Sequence, residues 1–511
     1  MADELLARGT LVSPLLVPAA LDHPAQWLAR RFRELEKAGA TGVGRHREFL
    51  ERLTSAADAL AATGHAAREP RLRALEQEFT RTTGVPARRG AGEHYADRLV
   101  VGEDCRGAVR RCVVPEDGTR ALASRLDPLL TLCGSFTVRV QRAVERHAAE
   151  VHRGLGGGAV PYLRLVAALD RTVSPDRVQD EPDVAGWLDR LDAAVLRAER
   201  AGVSTPAPDD LDALRCDLPD GLLASPDLLL GADPTVPGTS LAELPLIVGE
   251  IHHGAQVWTH LSALDPDPDR TARDVAYALR AHDPGIASVL HRRTQGKAFE
   301  REVPGPVVTF RTRPALPHDD VWRAEDLTVV ADGDGRLGLR APDGRALRLR
   351  PRHPRSAGNW LFGPPPLITP DVLRAAPRAP RVVIGDVVAW RRRWTLDTAA
   401  LDALRRPTGP AALVRSADAL VTRLALPDLV FVRADHARKP VFADLRCPTS
   451  LGHLAHHLRT ARAARLTEML PRPGQWWLRP GGRRVGCEWR LTFDWRPGDG
   501  RDGTGGKVTG S

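Results

Sequence analysis

With 511 residues, 42% of them hydrophobic and 27% charged, the chain has the make-up of a folded globular protein of about three domains or one large interlocked unit, which excludes wholesale disorder and a fibrous repeat. Its longest apolar stretches, Leu11 to Leu21 and Leu424 to Val432, are broken by proline or charge and fall short of the about 18 residues that a membrane-spanning helix needs. The net charge is +9, and only Lys37, Lys297, Lys439 and Lys507 are lysine, so the positive charge is arginine: either genomic bias or a guanidinium grip on phosphate or carboxylate.

In chain order, the acidic start Met1-Ala2-Asp3-Glu4 lacks the basic and apolar regions of an export signal, so a cytoplasmic location is the expectation. His23 to Gly39 repeats Trp27, Leu28, Phe32 and Leu35 at helical spacing, and His46 to Ala62, Glu69 to Phe79, Arg120 to Leu132 and Phe136 to Leu155 read as further helices. One strand, Arg98 to Val101, interrupts them, and Ser174 to Asp183, Ser204 to Asp210 and Asp265 to Asp269 read as acidic surface loops. Strands are predicted from about residue 240 onward, at Leu246 to Ile251 and Pro306 to Arg311. Asp326 to Leu349, punctuated by Asp332-Gly333, Asp334-Gly335 and Asp343-Gly344, reads as an antiparallel β-meander. A strand at Arg381 to Val388, a hairpin at Leu429 to Arg433 with Val441 to Leu445, and a helix from Leu451 to Glu468 complete the pattern. The fold class is therefore α+β. A mainly helical region with one inserted strand covers residues 1–240, an α/β region with the β-meander covers 241–480, and a Gly/Asp-rich tail at 497–511 reads as disordered.

Several chemistries are set aside by absence of their motifs. There is no lysine between Lys37 and Lys297 for a phosphate-binding loop or a Schiff base. Gly154-Leu155-Gly156-Gly157-Gly158 has no preceding strand, and so reads as a helix stop. The cysteines Cys105, Cys112, Cys133, Cys216, Cys447 and Cys487 form no C-x-x-C pair, which suits reduced thiols. His453, His456 and His457 share a helix face without a neighbouring carboxylate or cysteine, so no metal is expected. His252-His253-Gly254 marks either a catalytic histidine or a capped strand end.

Three arginine constellations remain. Arg311 and Arg313 alternate on a predicted strand, which would place both guanidiniums on one face about 7 Å apart, fit for a phosphate or carboxylate, or else on a solvated edge. Trp390-Arg391-Arg392-Arg393-Trp394 brackets three charges with two indoles and offers base stacking with phosphate contact; the other reading sends the indoles to the core and the arginines to water. Glu103-Asp104, between Arg98 and Arg106, is a candidate acidic group aimed from a strand end.

The run Tyr95 to Cys105, the strand Leu246 to Glu250, Arg311-Thr312-Arg313-Pro314, and Asp326-Leu327 leading into the Asp-Gly hairpins resemble the lantibiotic dehydratase family. So do Trp394-Thr395-Leu396, Leu426 to Asp435, Asp444-Leu445, Leu451 to Leu458, Glu468 to Pro471 and Trp476-Trp477. The order is kept from about residue 1 to 480, over the later part of the glutamylation domain. Gly102 stands where an aromatic is common, Thr312 where an Asn is expected, and Val321-Trp322 in place of Glu-Ile.

The resemblance implies transfer of glutamate from glutamyl-tRNA, a co-substrate with no bound cofactor, onto Ser or Thr hydroxyls of a precursor peptide. By matching position it makes Asp104, with Glu103, the functional acid and Arg313, with Arg311, the functional arginine. Arg98, Arg391, Arg392 and Arg393 are then expected to contact the tRNA. The family's earlier N-terminal segment and its elimination domain find no match, so a partner polypeptide is expected to supply both. Two other readings stay open: a non-catalytic partner that binds precursor or scaffolds a modification complex, and a ligase that joins an amino acid from tRNA to a peptide C-terminus.

Overall fold

The structure is a computed structural model that describes residues 15–18, 20, 21, 23–87, 100–102, 107, 109, 112–173, 178–219, 222–232, 240–253, 264–291, 301–350, 357–365, 367–437, 439–495, 508 and 509. The N-terminal part is helical, as α1 (Pro24–Lys37), α2 (Gly44–Ala61), α3 (His65–Thr83) and α4 (Glu116–Gly154). The 39-residue α4 replaces the two helices expected at Arg120 to Leu132 and Phe136 to Leu155. The glycine between them, Gly134, serves close packing and not a stop, because a Cβ there would stand 3.0 Å from Leu218 Cδ1. Val100 and Val101 carry no strand; Arg98 and Leu99, the rest of that expectation, lie outside the described residues.

A short strand, β1 (Val160–Pro161), is followed by α5 (Tyr162–Thr172), α6 (Pro182–Arg200) and α7 (Pro208–Asp212). Sheet then begins earlier than the sequence suggests, at β2 (Leu222–Leu230), whose Pro226-Asp227 pair disguises an otherwise apolar run. β3 (Leu246–His253), α8 (Pro268–His282), β4 (Ile286–His291), β5 (Val307–Phe310), β6 (Val321–Arg323), β7 (Thr328–Ala331), β8 (Leu337–Arg340) and β9 (Ala346–Arg350) follow. The α8 start, within a stretch expected as loop, is capped by Asp267, whose carboxylate accepts from the Arg270 amide. β7, β8 and β9 form the expected meander. Its first turn is tied by Asp332 Oδ1, which accepts from the amides of Asp334 and Arg336.

Beyond α9 (Ala357–Phe362) come β10 (Arg378–Ala379), β11 (Val382–Ile384), β12 (Val387–Trp390) and β13 (Arg393–Leu396). The expected single strand at Arg381 to Val388 is thus a tight β11–β12 hairpin, turned through Gly385 at φ 63°, a conformation glycine adopts without strain. α10 (Thr398–Arg405), α11 (Pro410–Leu424), the hairpin β14 (Leu429–Ala434) and β15 (Val441–Asp444), α12 (Pro448–Leu458) and β16 (Ala464–Glu468) come next. The helix expected from Leu451 to Glu468 therefore ends at Leu458, and its second half is a strand whose Ala464, Leu466 and Glu468 are buried in alternation. β17 (Trp489–Arg490), β18 (Thr492–Trp495) and β19 (Val508–Thr509) close the chain. β19 lies in the stretch expected to be a disordered tail; most of that stretch is outside the described residues.

The strands make three sheets, ordered β1-β7-β8-β9-β4-β5-β6, β10-β13-β16-β14-β15 and β11-β12-β3-β2-β18-β19 with β17 also on β2. The protein is α+β. Residue 240 does not divide the hydrophobic core: one cluster runs from Leu122 in α4 through Leu222 and Val329 to Phe493 in β18, and β1 pairs with β7. A second cluster packs α10, α11 and α12 on one face of the β13-β16-β14 sheet through Leu401, Leu420, Leu454, Val430 and Leu466. The chain passes from the first core to the second along Trp390 to Trp394.

Candidate functional site

The opposite face of that five-stranded sheet is where charge collects. Strand alternation sends Val430 and Val432 into the helices and turns Phe431 and Arg433 of β14, Arg465 and Thr467 of β16, and Arg393 of β13 the other way. These side chains wall a cavity of about 390 Å³. Its other wall is the carboxyl end of a parallel strand pair: β3 and β12 pair at Leu246–Val387 and Ile247–Val388, and the cavity is lined beyond that by Val248, Glu250, Ala389, Trp390 and Arg391. Splayed carboxyl ends of parallel strands are where open sheets bind ligands.

The four cavity arginines differ in what holds them. Arg393 is 9% exposed; it pairs with Asp371 at 2.6 Å and donates to the carbonyls of Val372 and Leu373 at 2.9 and 2.7 Å. Arg465 reaches the same Asp371 only at 3.6 Å. Arg433 stands directly opposite Arg465 in the β14–β16 register. The Nε of Arg391 is buried without a hydrogen-bond partner, and burial holds its guanidinium below the ordinary range. Burial, and then Arg393, lower Arg465 too. The indole of Trp390 is fixed by donating to the Pro370 carbonyl at 2.9 Å. Arg392 does not line the space; its amide donates to Glu468. Trp394 enters the second core. In this segment one indole, Trp394, is core, and two of the three arginines, Arg391 and Arg393, turn into a cavity.

Arg311 and Arg313 do not share a strand face. β5 ends at Phe310, and Arg311 has φ 49°, a left-handed conformation that breaks the pleat at a cost of about 1 kcal/mol for a residue other than glycine. Arg311 is exposed. Arg313 lies with its guanidinium 4.7 Å from the Trp27 ring of α1, within cation–π range, and its Nε is buried without a hydrogen-bond partner. The loop carrying both is pinned from beneath by Glu302, whose carboxylate accepts from the amides of Ala315 and Leu316 at 2.7 and 2.8 Å and lies 3.2 Å from His318 Nε2. Glu103, Asp104 and Arg98 lie outside the described residues.

A further constellation gives His252, a candidate from the sequence, two partners that the sequence did not reveal. His252 Nε2 lies 2.9 Å from Oδ2 of Asp227, and Arg490 Nε lies 3.2 Å from Oδ1. Burial lowers the affinity of His252 for its proton, but Asp227 more than compensates and holds it above its ordinary value. The signal was a carboxylate inside an apolar strand-length run, Leu222 to Leu230. Among the described residues no group of three or more His, Cys, Asp or Glu is placed to hold a metal ion. Arg433 and Arg465 were missed because β16 reads as a continuing helix, which conceals their pairing.

No protein-family model matches the sequence, and no curated protein does. Solved structures do. The chain is similar to the tRNA-dependent lantibiotic dehydratase MibB from Microbispora sp. 107891, with a TM-score of 0.66, 18% identity, and coverage of 92% of this chain and 48% of that one. It is similar to the glutamylation domain of TbtB from thiomuracin biosynthesis, with a TM-score of 0.56 and 18% identity over 96% of this chain and 62% of that one. The same domain bound to 5'-phosphodesmethylglutamycin gives a TM-score of 0.53 and 17% identity over 85% and 57%. The chain spans about half to three fifths of the length of these solved chains. It carries, almost from end to end, the fold of the lantibiotic dehydratase glutamylation domain.

Proposed function

We propose that the protein acts in maturation of a ribosomally made peptide, moving glutamate from glutamyl-tRNA to Ser or Thr side chains of a precursor. The observation that supports this most is the fold shared with MibB and TbtB across 92% and 96% of the chain. In the reaction a Ser or Thr Oγ attacks the aminoacyl ester carbonyl. A new C–O bond forms, the bond to the tRNA ribose oxygen breaks, and the hydroxyl proton passes to that oxygen. A separate elimination step then releases glutamate. Asp104 and Glu103 position the amine or the hydroxyl. Arg313, stacked on Trp27 with a buried Nε that has no hydrogen-bond partner, and Arg311 serve the tRNA 3′ end or the ester, where donors aimed at developing charge contribute most. Arg98, Arg391 and Arg392 contact the tRNA backbone, and Arg393, bound to Asp371, shapes the wall beside them.

The test is single-turnover transfer of labelled glutamate from glutamyl-tRNA to candidate precursor peptides, against uncharged and mischarged tRNA. Label should move to peptide as an alkali-labile side-chain ester, and Asp104→Ala or Arg313→Ala should cut the rate by about 100-fold or more with an unchanged circular dichroism spectrum. Label in a C-terminal amide would mean the ligase. Peptide binding without transfer would mean a scaffold.

A further inference from the structure

Beneath the loop of Arg311 and Arg313, the hydrogen bonds of Glu302 and His318 close only when the pair holds one particular proton. Glu302 accepts from the amides of Ala315 and Leu316, one on each oxygen, as an ionised carboxylate does. The His318 side chain is 0% exposed and faces an acceptor on each side of its ring: Nδ1 lies 2.7 Å from the Gly305 carbonyl, and Nε2 lies 3.2 Å from Glu302 Oε2. A carbonyl oxygen cannot donate, so Nδ1 carries a hydrogen, and a second hydrogen must lie between Nε2 and the carboxylate. The ring is therefore an imidazolium. Once the second hydrogen leaves, two lone pairs face each other away from water, and a buried acceptor without a donor costs more than the bond it lost. The charged groups around the ring are Glu302 and Asp319, which both favour the proton, and Arg280 of α8, whose Nη1 would lie 3.5 Å from a Cβ on Gly305 and which opposes it. Asp320 is already paired with Arg345 at 2.7 Å.

We propose that Glu302 and His318 form a proton-held latch on this loop: while the shared proton is present Arg313 is kept against Trp27, and its loss releases the loop. Arg311 supplies the tension. A residue other than glycine stays at φ 49° only where its surroundings over-determine the backbone, and a few residues on, the amides of Ala315 and Leu316 both end on Glu302. With that anchor weakened, the backbone at Arg311 can relax toward an unstrained conformation. Arg313 moves with it, because its guanidinium reaches the Trp27 ring of α1, 4.7 Å away, only from the present course of the loop. Glu302 and His318 are thus positioning residues that act through Arg313, and a rise in pH through the titration of the pair opens the latch. The effect on glutamate transfer rests on the role proposed above for Arg313; the latch itself does not.

The latch is read by fluorine nuclear magnetic resonance on the full chain labelled with 5-fluorotryptophan, the Trp27 signal being the one lost in Trp27→Phe. In wild type that signal should shift with a midpoint above the ordinary histidine value of 6.5 as the pH is raised from about 6 to 9. His23 lies four residues before Trp27, so only the movement that disappears in His318→Gln is counted. In Glu302→Gln the carboxamide N–H can donate to an unprotonated Nε2, so the midpoint should fall by about one pH unit or more. A Trp27 signal that stays still in wild type, or that shifts identically in His318→Gln and Glu302→Gln, overturns the latch. Single-turnover transfer from glutamyl-tRNA, corrected for spontaneous ester hydrolysis, is measured over the same range. The wild-type rate should fall about tenfold per pH unit above the midpoint, and His318→Gln should be slower at pH 6 without that fall. The same pH profile in wild type and His318→Gln overturns the link to catalysis. A Trp27 shift of the expected kind in a protein that transfers nothing at any pH supports the latch and removes the proposed function instead.

Discussion

Glu302 and His318 are buried side chains, 1% and 0% exposed, in direct contact beneath the loop that carries Arg311 and Arg313. Their hydrogen bond raises the His318 pKa above its ordinary 6.5 although burial opposes it. A histidine raised in this way contributes full stability below its unfolded value and loses it as pH rises through its folded one. The melting temperature should therefore decline as pH rises above 6.5, and His318→Gln should flatten that decline in a pH series of thermal melts; an unchanged slope would detach the pair from stability. Glu302→Gln, which weakens the acceptor for two amides and the imidazolium, should cost about 2 kcal/mol in urea unfolding. The arginines above were legible in the sequence, but their arrangement was not. Period-2 reasoning placed them on one face, whereas Arg311 at φ 49° turns the chain, and the partner that orients Arg313 is Trp27, nearly 300 residues away in sequence.

At the scale of elements, two glycines with the same local signature have opposite meanings. Gly358 in α9 is buried against α5: a Cβ there would stand 2.7 Å from Val166 Cγ2, a β-branched group stiff in a helix. Gly358→Ala should destabilise by about 1–3 kcal/mol through overpacking. Gly452 in α12 faces open space, so Gly452→Ala should stabilise by up to about 1 kcal/mol by helix propensity alone. Chemical denaturation of the two variants side by side checks both signs. The same distinction explains which elements the sequence revealed. Helices with a stripe of large apolar residues, such as α1, and strands set off by Asp-Gly turns announce themselves. Gly134, which falls between two expected helices and lies inside one, and Gly385, which reads as an interior strand residue, need the neighbouring element to be interpreted. β16 was hidden because Ala464 to Glu468 follows a true helix without a proline or glycine break.

For the whole molecule, the junction between the two cores rests on Glu468. It is 4% exposed, receives both forks of Arg381 at 2.8 and 2.7 Å and the Arg392 amide at 2.8 Å, and so ties the β11 side of one sheet to the end of β16 in another. Burial pushes its pKa up, but Arg381 and the Arg392 amide prevail and hold the carboxyl below its ordinary 4.5. An acid depressed in this way contributes stability above its unfolded pKa and loses it as pH falls through the folded one. Glu468→Gln should cost about 3 kcal/mol near neutrality, and below pH 4.5 the difference from wild type should shrink; a constant difference in acid titration would exclude the mechanism. The α+β class and the family resemblance could be read from the sequence, since both rest on local motifs in order. The two-core architecture could not, because its junction joins Arg381 to a glutamate 87 positions later and depends on the hidden strand.

The position of β2 bears on how the polypeptide is made. β2 is flanked on one side by β3 and on the other by β17 and β18, through Leu228–Trp489, Ala224–Phe493 and Leu222–Trp495. A nascent chain therefore carries β2, nine residues of which eight are buried in the finished protein, with one edge open until residues 489–495 have left the ribosome. Open apolar edges recruit other strands. Synthesis halted between β3 and β17 should leave that edge open to other strands, and β17 and β18 are what close it.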